Sequence, residues 1–379
     1  MIHILVAPNA FKNNLSALSV AEAIREGLYL SKLDCSCECF PVGDGGDGTG
    51  ELIMQKCNGD SFTVEVNDPL GRSIQACYGL INKGETCLVE MADAAGIRLL
   101  KAGELDPMHA TSFGVGQLIK AALDKGIREI ILGMGGSATV DGGCGILMAL
   151  GMRFLGAGQK ELTRLPASLA ELVSIDISGL DKRILTCNFT VLCDVDNMLL
   201  GENGSATVFG PQKGASADDV KKLDEALGQF TKVTLEQTGI DMSAIKYGGT
   251  AGGAAAGLHA FLRAKLVNGI DYFLDLTGFE EALQNADIVI TGEGSIDEQT
   301  LQGKGPFGVA ARAKKKGIPV IGLAGKVPLV KNNALEKYFD VLLPIGHQPF
   351  DLNTALATTS GNLLRTSTEI GNLLAMFKI

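Results

Sequence analysis

The stretch Gly133-Met134-Gly135-Gly136-Ser137-Ala138-Thr139-Val140-Asp141-Gly142-Gly143 constrains this chain more than any other. It follows the aliphatic run Ile130-Ile131-Leu132 and leads into Ile146-Leu147-Met148-Ala149-Leu150, which reads as a helix. Strand, small-residue loop and helix in that order belong to an α/β architecture. Glycine allows positive φ and lets another group approach bare N–H groups. Ser137 and Thr139 add hydroxyls, and Asp141 adds a carboxylate near the start of the helix. Exposed amides at a helix N-terminus make an anion site, and phosphate is the anion predicted here. A simple tight turn would not require five glycines.

Composition narrows the class. The 379 residues allow about two domains. They are 46% hydrophobic but only 5% aromatic, with 49 Gly and no Trp, the profile of an aliphatic, loop-rich α/β enzyme. A net charge of −10 excludes a general nucleic-acid binder, which needs a basic face. The N-terminal Ile2-His3-Ile4-Leu5-Val6 reads as a strand, and Pro8 interrupts it too early for a signal peptide. No apolar run has membrane length. Nine scattered cysteines argue against a complete disulfide framework. Cys35, Cys37 and Cys39 alternate along one predicted strand and are expected to be packed or half-exposed thiols, since a zinc site would need a fourth ligand. The expectation is a cytoplasmic protein with a small-molecule substrate and no nucleic-acid or membrane partner. Oligomeric state is not legible.

Along the chain, Lys12 follows the first strand, and Ser16 fits the N-cap of a helix running to about Leu30. Gly43, Gly45 and Gly48 match a dinucleotide fingerprint in spacing only. Asp44 and Asp47 inside that loop would repel a pyrophosphate, and the match follows the second strand instead of the first. Carboxylates there suit magnesium or proton removal better. The turn Asn67-Asp68-Pro69-Leu70-Gly71 and the shorter strands after it place a boundary near Asp68. Asp194 and Asp196 alternate at the end of a predicted strand and would share a face. Lys213 follows in Phe209-Gly210-Pro211-Gln212-Lys213-Gly214, before a long amphipathic helix from Ser216. Thr250-Ala251-Gly252-Gly253 is another small-residue turn, open to close packing or to ligand contact. Regular α/β texture returns near Ala286. There a strand ends in Gly292-Glu293-Gly294-Ser295-Ile296-Asp297, and Lys304 precedes a helix. Gly303-Lys304 is not a Walker loop, because Glu298 and Gly305 occupy two of its required positions.

Taken in order, blocks 9–16, 43–49, 133–143, 193–199, 209–214, 250–253 and 291–306 resemble the bacterial-type ATP-dependent glycerate kinase family (type I) over essentially the whole chain. The resemblance implies two α/β domains. One is a Rossmann-like parallel-sheet domain from residues 1–67 and 285–379, and the other is an α/β domain, 68–284, inserted between them and carrying the glycine loop. It implies transfer of the γ-phosphoryl of ATP, with Mg²⁺, to a hydroxyl of D-glycerate, the 2-phosphoglycerate product being favoured. Gly135, Gly136, Ser137, Thr139, Asp141 and Lys304 are the expected cofactor-binding residues. Asp44, Asp194, Lys12 and Lys213 are the expected catalytic residues, and Asp196, Glu293 and Asp297 the expected metal ligands, with base and metal roles interchangeable among the acids. Asn9 stands where the family has Asp, Val140 where Asn is common, Ser295 where a cation often follows, and Asp47 where Glu is usual. The competing readings are a non-catalytic sugar-acid or nucleotide sensor, and a dinucleotide-dependent oxidoreductase using 43–48.

Overall fold

The computed structural model describes residues 1–377 except 13, 331 and 350. The chain divides into two compact units, Met1–Asp44 with Ile270–Ile379, and Gly45–Gly269. Both ends of the chain build the smaller unit. The boundaries differ from the expected 67/68 and 284/285. Helix Thr49–Lys56 and strand Asp60–Asn67 belong to the larger unit, because that strand pairs antiparallel with Ser73–Ile81 over its whole length.

In the smaller unit five parallel strands lie in the order Val341–Pro344, Val320–Lys326, Ile288–Ser295, Ile2–Val6, Cys35–Cys39. Counted within the unit this is a doubly wound 2-1-3-4-5 sheet, and its strand order reverses between Ile2–Val6 and Ile288–Ser295. Such a reversal opens a crevice at the carboxyl ends of the two strands. Helix Ala17–Leu30 begins at Ser16, whose hydroxyl accepts from the Ser19 amide at 3.1 Å. Its apolar stripe of Val20, Ile24 and Leu28 joins Ile4, Val6, Ile290 and Leu323 in one core. Helix Thr359–Met376 supplies Leu363 and Ile370 to that core, and Gly27 lets its backbone come close. Cys35, Cys37 and Cys39 are half-buried on the edge strand, and burial pushes the Cys37 thiol up to about 12.

The larger unit carries a mixed six-stranded sheet. Lys265–Asn268, Asn188–Cys193, Glu129–Gly133 and Thr86–Glu90 run parallel, and Ser73–Ile81 and Asp60–Asn67 complete it antiparallel. Helix Ala217–Thr238 starts in a capping box between Ser216 and Asp219 and ends at Gly239 in the left-handed region. It buries Leu223, Leu227, Phe230 and Val233, and Phe230 stacks on Phe261. The helix after the 43–48 glycines packs on this sheet and not on the strand preceding them, so that loop does not form a dinucleotide-binding βαβ turn.

Candidate functional site

In the larger unit the glycine loop sits at the carboxyl end of Glu129–Gly133, as expected, but its anion is internal. Asp141 is fully buried. One carboxylate oxygen accepts from the Gly143 amide at 2.9 Å, and the other accepts from the Gly145 amide at 3.1 Å and from the Ser112 amide and hydroxyl at 2.9 and 2.7 Å. The hydroxyl of Ser112 in turn accepts from the Ile146 amide at 3.1 Å. The start of the short helix Cys144–Ala149 is therefore neutralised by the protein's own carboxylate. This corrects the reading of Asp141 as a cofactor contact. With both oxygens committed and no exposed surface, it positions the loop.

Other parts of the loop are fixed by close approach. A side chain on Gly135 would collide with Gly46 and Asp47, and the Gly135 amide donates to the Gly45 carbonyl at 3.0 Å. Gly252, at φ +70°, lies against the Thr139 carbonyl, and its own carbonyl accepts from the Gly142 amide at 2.9 Å. Close packing thus accounts for the 250–253 glycines.

One loop hydroxyl and one loop carbonyl meet a buried cation. Lys213, 3% exposed, donates from Nζ to the Ser137 hydroxyl at 2.9 Å and to the Thr139 carbonyl at 2.8 Å. Burial lowers its pKa to about 8, and Asp141 and Asp194 act in the opposite direction by electrostatic attraction. The Thr139 hydroxyl is buried without a hydrogen-bond partner among the described residues. Asp194 follows the last residue of Asn188–Cys193, beside Lys213, and is half-buried. The strand ends before it, so the alternation expected for Asp194 and Asp196 does not apply, and Asp196 is exposed.

In the smaller unit the crevice at the strand reversal collects the other expected residues. Asn9 follows Ile2–Val6, and its Nδ2 donates to Asp44, 4% exposed, at 2.7 Å, while its Oδ1 accepts from the Ala10 amide at 2.8 Å. An aspartate at position 9 would face the Asp44 carboxylate with a like charge, so the amide here matches its neighbour. Glu293, 6% exposed, accepts from the Thr300 hydroxyl at 2.8 Å. Its pKa is raised to about 7, first by burial and then by Asp44, with Lys304, Thr300 and Lys12 pulling it back. Lys12, Asp44, Glu293 and Lys304 thus form one electrostatic neighbourhood. Asp297 does something different. It caps the turn Glu298–Gln302, accepting from the Gln299 amide at 2.9 Å, and its own amide donates to Thr300 at 3.1 Å. Among the described residues no three His, Cys, Asp or Glu side chains gather to hold a metal ion. The expected trio of Asp196, Glu293 and Asp297 is divided between the two units.

Sequence reasoning missed Ser112, Thr300 and Glu90. Ser112 immediately precedes helix Phe113–Asp124, yet its side chain serves the loop 29 positions later.

Residues 4–375 match the Glycerate kinase family. The chain is 43% identical over 324 residues to a glycerate kinase of Halalkalibacterium halodurans, covering 86% of this chain and 85% of that one. It is 41% identical to a glycerate 2-kinase of Escherichia coli, covering 98% of each chain. A crystal structure from Salmonella typhimurium LT2, designated glycerate kinase 2, aligns with a TM-score of 0.80 at 40% identity and covers 99% of this chain and 98% of its own.

Proposed function

Because this chain belongs to the glycerate kinase family, we propose that it transfers the γ-phosphoryl group of ATP to a hydroxyl of D-glycerate, giving phosphoglycerate and ADP. The carrying observation is the buried Lys213 ammonium held against Ser137 and Thr139 with Asp194 beside it. Phosphoryl transfer asks the protein for positioning and charge stabilisation, and a desolvated cation next to the unpartnered Thr139 hydroxyl supplies both. Asp141 and Asp194 both attract that cation, and Asp141 has both oxygens committed to hydrogen bonds, so Asp194 takes the substrate hydroxyl's proton in this reading. In the smaller unit, Lys12 and Lys304 are the point charges for carboxylate or phosphate.

Mg²⁺ accompanies ATP in such reactions, and it commonly takes only one or two protein carboxylates while phosphates and water complete its shell. Glu293, with one oxygen committed to Thr300 and Asp44 as its charged neighbour, fits that partial donor set. It replaces the larger trio expected from the sequence. Asp297 is engaged as a cap, and Asp196 is given no role. When bound, the ion would neutralise charge on the phosphates.

Transfer to the 2-hydroxyl is favoured because the relative from Escherichia coli, 41% identical, is named a glycerate 2-kinase. The test is ADP release from ATP across a panel of hydroxy acids, with phosphorus NMR of the product. D-glycerate should be turned over to 2-phosphoglycerate. Binding of glycerate and ATP without ADP release would mark a sensor and overturn the kinase reading. No helix among the described residues is long and apolar enough to cross a membrane.

A further inference from the structure

The larger unit holds a cavity of about 430 Å³ that the residues above leave unexplained. Its volume lies within the roughly 300–1,000 Å³ usual for small-molecule sites. It opens between helix Thr49–Lys56 and the sheet face formed by Asp60–Asn67, Ser73–Ile81 and Thr86–Glu90. Gly79 pairs directly with Leu88, and Cys77 shares its face two residues away, so the strand itself places little side chain on this floor. The Met54 thioether covers the space that Gly79 leaves, its sulfur standing where a Cβ on Gly79 would collide with it and 2.6 Å from one on Gly59. A polarisable thioether seated on glycine offers a flat apolar face that suits a planar ring.

The polar lining has the wrong sign for phosphate. Glu51, Glu90 and Asp93 face the cavity, and Arg98, the lining cation, is already paired with Asp93 at 2.5 Å and Asp47 at 3.2 Å. Glu90 spends one interaction on the Gly50 amide at 2.9 Å. Surplus carboxylate receives hydroxyl and amino donors and repels anions.

The cavity's place in the sheet identifies what those donors belong to. Thr86–Glu90, Glu129–Gly133 and Asn188–Cys193 are adjacent parallel strands, with Glu90 paired to Gly133 and Gly133 to Leu192. Their carboxyl ends therefore carry, side by side, Glu90, the glycine loop and Asp194. The outer two are two strand spacings apart, about 10 Å. Cavity and loop also share a wall. Asp47 would lie 3.3 Å from a Cβ on Gly136, and the Ile97 amide, next to Arg98, donates to the Gly136 carbonyl at 2.8 Å.

We infer that this cavity receives the nucleoside of the phosphoryl donor, its planar base against the Met54 thioether and its ribose hydroxyls toward Glu90, with the phosphates crossing the glycine loop toward Lys213. The inference rests on the kinase reading above and adds to it where the non-reacting end of ATP sits.

Adenosine, which lacks phosphate, is the probe. The chain contains no tryptophan, so Gln55→Trp on the exposed rim provides a single fluorophore. Adenosine should quench it, and inorganic tripolyphosphate should neither quench it nor displace adenosine. Saturation-transfer NMR of adenosine on the unaltered chain gives the same readout without a substitution. Cys77→Phe, which fills the floor, should raise KM for ATP about tenfold while KM for D-glycerate stays within about twofold. Absence of adenosine binding, its displacement by tripolyphosphate, or an unchanged KM for ATP in a folded Cys77→Phe chain would overturn the assignment. Turnover of ATP by the unaltered chain in the same buffer separates the two failures. Turnover with any of those results removes the cavity alone, and no turnover removes the kinase reading with it.

Discussion

At the scale of single residues the protein buries charge where chemistry needs it and leaves part of its bonding capacity unused. Lys213 donates to a hydroxyl and a carbonyl, neither of which neutralises it, and Asp194 attracts it from the end of a strand. Lys213→Met and Asp194→Ala are each expected to lower turnover by about a hundredfold or more while the chain still unfolds cooperatively in urea. Near-normal turnover in either would remove that residue from the site. Glu293 makes a pH prediction. Folded, it holds its proton to about pH 7, whereas an ordinary glutamate releases it near 4.5. Between those values the folded state binds more protons than the unfolded one, so this group makes stability fall as pH rises. Urea midpoints at pH 5 and pH 7.5 should show that fall, and Glu293→Gln should reduce it. The sequence made the residue types at these positions legible, as lysines and acids after predicted strands. It did not show which were saturated, because Asp141 and Asp194 differ only in what the folded chain brings to them. Ser112, Gly143 and Gly145 saturate Asp141 with hydrogen bonds, while Lys213 attracts both carboxylates.

At the scale of elements, local signals were read well and non-local pairing was not. The Ser16 cap announced its helix within a few residues, and so did the strand–loop–helix at 129–149. The first boundary was misplaced because Asp60–Asn67 follows a helix as any α/β strand would, and only its antiparallel partner, reached through a turn, assigns it to the other sheet. The glycines show the same division. Gly252 and Gly239 both have positive φ, yet Gly252 abuts the Thr139 carbonyl while nothing lies within 4 Å of a Cβ on Gly239. Gly239→Ala should therefore cost only about 1 kcal/mol in urea unfolding, from backbone strain alone. Gly252→Ala adds a collision with the loop and should also lower kcat about tenfold or more, a separation that steady-state kinetics on the two variants checks.

On the scale of the whole molecule, each unit keeps its own core. Every buried residue of the larger cluster, from Val66 to Ala264, falls within Gly45–Gly269, and the cluster of the smaller unit comes from the two flanking segments. Residues 45–269 produced alone should accordingly give a single cooperative urea transition followed by circular dichroism. A gradual, non-cooperative loss of signal would contradict that independence. Reading the family from a succession of small motifs succeeded because most of them lie at the carboxyl end of a parallel strand or the start of a helix, where backbone geometry leaves little choice of residue. The buried Asp141 carboxylate has one more consequence. A loop that carries its own counter-charge is already in its working shape before any nucleotide arrives. Its dipoles need little reorientation when charge migrates between donor and acceptor, and the reorganisation energy of the transfer is kept low by hydrogen bonds already made when the chain folds.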